Sequence, residues 1–328
     1  MIILDSVIQL LQSNGGVSVY FNNIISSLNK NNVLFENISF LEGDRKLAPR
    51  LFERYRDCVV SRKNGVFHSS YYRLPSEKEM KVITTVHDFT YEKFVRGPAQ
   101  WVHSWQKNRA IRHSDIVICV SHNTARDLMT YCPIEPSRIR VVHNGVSIAY
   151  HPIQDLANAH HQIVLFVGAR GGYKNFRLAV EAVSAVPGLI LHVVGGGEFT
   201  FSERQLLEKY LPARYKWLGR LSDRELNEAY NKAHALLYPS SYEGFGIPII
   251  EAMRAGCPVI AVNASSIPEV AGNAALLVNR PSATEFSQAL QEIPERRQQL
   301  VMAGFEQAAK FSWERCFQET LAIYKELI

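Results

Sequence analysis

Residues 235–255 read Ala-Leu-Leu-Tyr-Pro-Ser-Ser-Tyr-Glu-Gly-Phe-Gly-Ile-Pro-Ile-Ile-Glu-Ala-Met-Arg-Ala. The apolar run Ala235–Tyr238 is a short strand. A polar loop follows, carrying Glu243 and two glycines. A helix then opens at Ile247, with Pro248 suited to its first turn. Working outward, the same alternation repeats. Residues 162–167 form an apolar strand ending at Gly168, and a helical pattern follows over 176–186. Leu189–Val194 is a strand ending in Gly195-Gly196-Gly197. Residues 202–211 are helical and 216–218 extended. Ser222 with Glu225 makes a capping box that opens another helix, and 258–262 and 275–278 are strands. Continuous apolar strands alternating with helices predict a parallel sheet covered on both faces, a Rossmann-like domain.

Toward the N-terminus the pattern is similar but less regular. Strands are expected at 2–5, 33–40, 66–69, 82–86, 116–120 and 139–142. Helices are expected from Gly16 to about Asn29, over 98–112, and after a capping Ser121. The chain thus reads as α/β, with two Rossmann-like domains of 1–150 and 151–312 facing a central cleft. A helical stretch is expected from Pro294, followed by a last helix over 313–328. The spacing Trp313, Phe317, Leu321, Tyr324 suits packing back on the first domain as well as staying on the second.

Length and composition set the frame. The chain has 328 residues, 47% of them hydrophobic and 20% charged, which is globular composition and leaves no case for disorder. No apolar run is long enough to span a bilayer. The sequence turns acidic at Asp5, too soon for a leader. Five scattered cysteines without a Cys-x-x-Cys pair read as reduced thiols, so a cytoplasmic setting is expected. Charge is uneven: residues 1–150 hold 19 basic and 13 acidic side chains, and the remainder 17 and 18. An anionic partner for the first half, or a plain solvated basic surface, accounts for that excess.

Ligands of doubly wound sheets sit beyond the carboxyl ends of strands, so the chemistry is sought in those loops. Glu243 and Glu251 flank a helix start whose backbone amides suit an anion. Because side chains lean toward a helix N-terminus, both carboxylates can reach one cavity. The same residues also fit a plain glycine turn with a helix-start Glu. Arg170 and Lys174 sit in the glycine-rich turn 168–175, where two cations suit a diphosphate or are ordinary surface charges. Asn14-Gly15-Gly16-Val17 opens the first long helix, and His87-Asp88 ends a strand. Each of these has a structural reading too. Gly195-Gly196-Gly197 lacks the continuation of a dinucleotide fingerprint and its ribose acid, which counts against an NAD(P)-dependent oxidoreductase. Asp-x-Asp, His-Glu-x-x-His and Gly-x-Ser-x-Gly are all absent, so metal-grip, zinc and serine-hydrolase readings have no support, and no nucleic-acid module is visible.

Together, Glu243 and Glu251 in their Glu-Gly-Phe-Gly-Ile-Pro-Ile-Ile-Glu setting, Gly15-Gly16, His87-Asp88, Val120-Ser121, His143-Asn-Gly-Val146, Arg170 with Lys174, and Ser266-Ile-Pro-Glu-Val270 resemble the family 4 retaining glycosyltransferases of the GT-B fold. The branch most similar is that of bacterial O-antigen and polysaccharide mannosyltransferases. The resemblance implies transfer of a hexose, with mannose and a GDP-linked donor as the first expectation. The donor would be a nucleotide diphosphate sugar. The acceptor would be a glycan or a lipid-pyrophosphate-linked oligosaccharide. No cofactor and no metal are implied. Arg170 and Lys174 would hold the diphosphate, and Glu251 the ribose. Glu243 would hold donor sugar hydroxyls, with Gly244, Phe245, Gly246 and Ile247 lining sugar and phosphate. His87 would contact the sugar, and Gly16 would line the phosphate side. The first domain would serve the acceptor and the second the donor. A non-catalytic nucleotide-sugar binding protein would share these residues without turnover. Finally, the basic stretch Arg45–Lys63, with Leu47, Leu51, Phe52 and Tyr55, has the spacing of an amphipathic helix, expected either to attach to the inner face of the cytoplasmic membrane or to lie as a surface helix packed on its own core.

Overall fold

A computed structural model describes residues 1–12, 15–42, 45, 46, 49–154 and 162–328. The contacts divide it into two compact units, 1–145 with 313–328, and 146–312.

In the first unit, β1 (Ile2–Asp5) leads through α1 (Ile8–Leu11) and α2 (Gly16–Lys30) to β2 (Phe35–Ile38). A small antiparallel hairpin, β3 (Leu41–Glu42) and β4 (Arg45–Lys46), precedes β5 (Val66–Ser69) and β6 (Lys81–Val86). Then come α3 (Thr90–Phe94), α4 (Pro98–His113), β7 (Ile116–Cys119), α5 (His122–Tyr131) and β8 (Ile139–Val141). Six strands form a wholly parallel sheet in the order β2-β1-β5-β6-β7-β8. Ser121 caps α5 as its sequence suggests, its Oγ accepting from the Thr124 amide.

The second unit alternates more strictly. Its elements are β9 (Ile163–Val167), α6 (Phe176–Ser184), β10 (Ile190–Val194), α7 (Phe201–Tyr210), β11 (Tyr215–Gly219) and α8 (Asp223–Lys232). They continue with β12 (Ala233–Tyr238), α9 (Ile247–Arg254), β13 (Val259–Val262), α10 (Ile267–Ala271), β14 (Leu276–Val278) and α11 (Ala283–Ala308). The sheet is again parallel throughout, in the order β11-β10-β9-β12-β13-β14. Capping boxes open both α7 (Thr200 with Glu203) and α8 (Ser222 with Glu225). The last helix, α12 (Trp313–Leu327), packs into the first unit. Cys316, Phe317, Leu321, Ile323 and Tyr324 share a core with Tyr20, Phe21 and Ile24 of α2. Of the two placements that its apolar spacing allowed, the structure adopts this one.

Two expectations are corrected. The helix expected from Pro294 begins eleven residues earlier, at Ala283, and Pro294 lies inside it. Proline removes the amide that would reach the carbonyl four residues back. That carbonyl, of Leu290, instead accepts from His234 Nε2 at 2.8 Å, so its loss is compensated from β12. Nor is the stretch 45–63 an amphipathic helix. Its described residues start in β4, contain a 3-10 turn at Glu53–Tyr55 and a single bridge from Cys58 to Pro75, and are otherwise irregular, with Phe52 in the left-handed region at φ 58°. Leu47 lies outside the described residues, as do Asn14 of the first glycine motif and residues 155–161 of the joining segment. Among the described residues no helix is long and apolar enough to cross a membrane.

Candidate functional site

In each sheet the chain order reverses once, and at such a point two loops leave the carboxyl edge in opposite directions and open a crevice. In the first unit the reversal lies between β1 and β5, and it is filled. Arg73, 2% exposed, donates to Asp5 at 3.1 Å and to Glu53 at 2.8 Å, while Ser69 Oγ donates to Asp5 at 2.9 Å. Burial raises the Asp5 carboxyl to about 6, against the opposing pull of Arg73.

In the second unit the reversal lies between β9 and β12, and the two loops that leave it are the ones singled out by sequence. Lys174, from the loop after β9, donates to Glu243 Oε1, from the loop after β12, at 2.6 Å. Both side chains keep some exposure, 15% and 12%. The backbone locks the loops together. The Ser241 amide donates to Tyr173 O at 2.8 Å, and Asn175 donates to Pro239 O at 2.9 Å and to Ser241 Oγ at 2.6 Å. A third loop, after β13, braces the second: Ser265 Oγ accepts from the Glu243 amide, and Ser266 Oγ donates to Glu243 O and Phe245 O, each at 2.9 Å. Gly246 then sits at φ 102°, a conformation that favours glycine, and turns the chain into α9, which starts without a side-chain cap.

Glu251, one turn into α9, is only partly exposed. Tyr230 Oη donates to its Oε2 at 3.1 Å, and Tyr150 donates to the nearby Asp223 at 3.3 Å. Burial lifts the Glu251 carboxyl to about 7; Asp223 adds to the lift, and the tyrosine hydroxyls oppose it. Glu251 therefore titrates around neutrality instead of standing as a fixed charge.

Arg170 is not turned toward that crevice. Its guanidinium is buried: Nε donates to Glu203 Oε1 at 2.9 Å, Nη2 to Glu203 Oε2 at 3.2 Å and to Glu198 O at 2.8 Å, and Nη1 to Gly195 O at 3.0 Å. Phe199 lies under it at 4.9 Å. The glycine run after β10 makes room for it, since a Cβ on Gly196 would stand 2.6 Å from Nη1. Gly196 thus serves a close approach to Arg170.

In the first unit, His87 follows β6. Its Nε2 is buried without a hydrogen-bond partner, and burial lowers its pKa to about 4, so the ring is neutral near pH 7. The Tyr20 ring of α2 packs edge-on at 5.3 Å. Gly16 opens α2, and a Cβ there would meet nothing within 4 Å. No packing demand accounts for a glycine at that helical position, where alanine is the better helix former.

Sequence reasoning missed Tyr230, Tyr150 and Asp223 around Glu251, Glu203 against Arg170, and the serine brace at 265–266. Only the last carried a signal, as part of the Ser266-Ile-Pro-Glu segment.

Two family models match the chain: "Glycosyl transferases group 1" over residues 152–310, and "Glycosyltransferase Family 4" over residues 29–150. The chain is 29% identical over 316 residues to the O-antigen chain mannosyltransferase B of Escherichia coli, covering 88% of this chain and 80% of that protein. Among solved structures, the sucrose-phosphate synthase of Thermosynechococcus elongatus is similar with a TM-score of 0.81 at 20% identity, covering 99% of this chain and 98% of that one. HepE of Anabaena, solved with UDP-glucose, is similar with a TM-score of 0.71 at 16% identity, covering 99% of both chains.

Proposed function

From its place in the family 4 glycosyltransferases of the GT-B fold, to which this chain belongs, we propose that it transfers a hexose, with retention, from a nucleotide diphosphate sugar to a glycan or lipid-pyrophosphate-linked acceptor. Mannose from a GDP-linked donor is the first candidate, in keeping with the O-antigen mannosyltransferase to which the chain is similar. HepE was solved with UDP-glucose, so a uridine donor is the outcome to test against it.

The observation that carries the reading is the Lys174–Glu243 pair at the β9/β12 reversal, with Glu251 one turn away. A diphosphate arriving there exchanges a protein carboxylate for two phosphate charges on Lys174. That exchange frees Glu243 to accept hydrogen bonds from donor sugar hydroxyls, and Glu251 takes the ribose diol as an ionised carboxylate. The backbone of Gly244–Ile247 lines sugar and phosphate. Arg170 joins the leaving diphosphate only by releasing Glu203; otherwise it acts by holding the loops. In the first unit, the neutral His87 offers a ring nitrogen to the donor sugar, and Gly16 leaves space for a phosphate to approach. Charge developing on the diphosphate is stabilised by fixed donors, each worth about 3 kcal/mol at such a position. With cationic side chains in that role the reading needs no metal. The acceptor attacks from the face the diphosphate leaves, and a diphosphate oxygen takes the acceptor proton. We place the reaction at the inner face of the cytoplasmic membrane, where a lipid-linked acceptor would stand.

Thermal shift with GDP, UDP, ADP and dTDP tests the donor, and turnover of the matching sugar nucleotide in EDTA tests the metal-free chemistry. Glu251→Ala is expected to weaken nucleotide binding by about tenfold or more, the worth of one lost charged hydrogen bond. Glu243→Ala is expected to leave nucleotide binding nearly intact and depress turnover. Wild-type turnover in both variants overturns the site, and a glycosyl adduct trapped on a protein carboxylate overturns the mechanism.

A further inference from the structure

The exposed face of α4 carries Trp101, 70% exposed, and Trp105, 61% exposed, one turn apart, with Val102 beside them. Its opposite face buries His103, Gln106, Lys107, Ala110 and Ile111. Indole rings are costly to leave in water, and such a pair on one helix face has no role in the core of this unit. Arg109 and Arg112 continue the same face, and α4 contains no acidic residue.

A second segment stands against α4. Gln106 donates to Arg54 O, and Arg109 makes a two-pronged bond to Asp57 at 2.6 and 2.8 Å. This segment exposes Leu51 (73%) and Phe52 (65%). Phe52 does so from the left-handed region, a conformation that costs a bulky residue energy and that here delivers its ring to the surface. On the same two segments Arg56, Arg96 and Arg112 are exposed, whereas Arg62 is turned to Glu36 of β2, 3.9 Å away. The acids within 49–63 and 90–113 are engaged: Glu53 with Arg50 and Arg73, Asp57 with Arg109, and Glu92 with Lys107. The result is a surface of aromatic and aliphatic side chains in a field of net positive charge. Indoles favour the polar boundary of a bilayer, where their apolar body and N–H are both satisfied, and basic side chains favour anionic headgroups.

We propose that Trp101 and Trp105 of α4, with Leu51 and Phe52 of the neighbouring loop, insert into the headgroup region of an anionic phospholipid surface, and that Arg56, Arg96 and Arg112 hold them there. Among the described residues of 45–63 the expected helix does not form, and the insertion belongs to an irregular loop and to a helix that sequence reasoning did not connect with membranes. The surface has a direction. The N-terminal turn of α4 lies at the carboxyl edge of the first sheet, the edge from which the loop bearing His87 leaves. Docking by this face brings that edge to the lipid, which fits a lipid-linked acceptor. The purpose of docking rests on the proposed glycosyl transfer; lipid binding does not.

The full chain is mixed with vesicles of phosphatidylcholine alone and of phosphatidylcholine with phosphatidylglycerol, and followed by co-sedimentation and tryptophan emission. Binding to the mixed vesicles only, weakening as salt is raised, with a blue shift of the emission, is the expected result. Trp101→Ser with Trp105→Ser should lower vesicle affinity by about tenfold or more and abolish the shift, and Arg56→Gln, Arg96→Gln and Arg112→Gln together should lower it by at least about tenfold. All five side chains are exposed, so both variants should melt as the wild type does and bind nucleotide equally well. That second measurement separates a failure of docking from a failure of the donor site. Sedimentation of the serine variant equal to wild type, absence of wild-type binding, or equal binding to neutral vesicles overturns the proposal. So does a protein dimer that the serine variant dissolves while no vesicle binding is seen.

Discussion

Glu251 shows how far a single residue can be read before its surroundings are known. Its spacing from Glu243 marks it, because seven intervening residues across a helix start leave both carboxylates near one opening. Its charge state is not in that spacing. Tyr230, Tyr150 and Asp223 come from α8 and from the segment before β9, and no local pattern ties them to α9. The consequence is a pH dependence. A carboxyl near 7 in the folded chain against about 4.5 in an unfolded one binds its proton more tightly when folded. Its stabilising share is complete below pH 4.5 and is lost as pH rises through 7, which amounts to a penalty on the order of 3 kcal/mol at alkaline pH. Glu251→Gln removes that penalty, so its melting temperature should exceed the wild type's above pH 7, and the two should converge toward pH 5. Ribose hydroxyls donate to the ionised form, so wild-type nucleotide affinity should rise with pH across the same window and that of the glutamine variant should not. Melting curves and nucleotide titrations over pH 5–9 check both trends, and parallel curves for the two proteins would remove Glu251 from the site. Arg170 teaches the opposite lesson. Its position in a glycine-rich loop looked like an open cation, but Glu203, placed in α7 to cap that helix, takes it up.

At the scale of elements, the second unit was legible almost strand for strand, because parallel strands buried on both faces are apolar throughout and their helices carry explicit caps. Legibility failed where a tertiary partner overrode a local rule. Pro294 reads as a helix start, and only the His234 bond to the Leu290 carbonyl lets α11 run through it. That bond is buried, so removing the donor leaves a carbonyl without either its helical amide or the imidazole. His234→Ala should cost about 1–3 kcal/mol. Pro294→Ala, which restores the amide, should recover much of the loss in the double variant and couple the two sites. Denaturant unfolding of the four proteins measures the coupling, and additive losses would mean that His234 and Pro294 act separately. The 45–63 stretch failed for a related reason. Helical spacing of basic and apolar residues suggested a helix, but Cys58 pairs with Pro75, its amide donating to Leu74 O and its carbonyl accepting from the Ser76 amide, and Arg73 donates to Arg56 O, which ties the end of the segment to residues 73–76.

At the scale of the whole chain, two sheets follow from strand count and alternation, and the ownership of the last helix does not, since the same apolar spacing would serve either unit. The packing decides it. Phe317, Leu321, Ile323 and Tyr324 are buried in the first unit's core, and Tyr324 Oη lies 2.7 Å from His68 Nδ1, whose other nitrogen is 2.8 Å from Thr85 Oγ1. Four such side chains, at about 2 kcal/mol each, match the entire margin of a typical domain. Removing α12 also leaves the buried His68 Nδ1 without its partner. The first unit is therefore discontinuous in sequence, and the second, whose core lies wholly within 164–300, is not. A fragment of residues 146–312 should unfold cooperatively on its own and bind the same nucleoside diphosphate that the full chain selects. Residues 1–145 without 313–328 should lack a cooperative transition and bind hydrophobic dye, and adding 313–328 through a flexible linker should restore the transition. Cooperative melting of 1–145 alone would show that the core shared with α12 is dispensable, and failure of 146–312 to bind nucleotide would show that the β9/β12 crevice does not suffice for the donor.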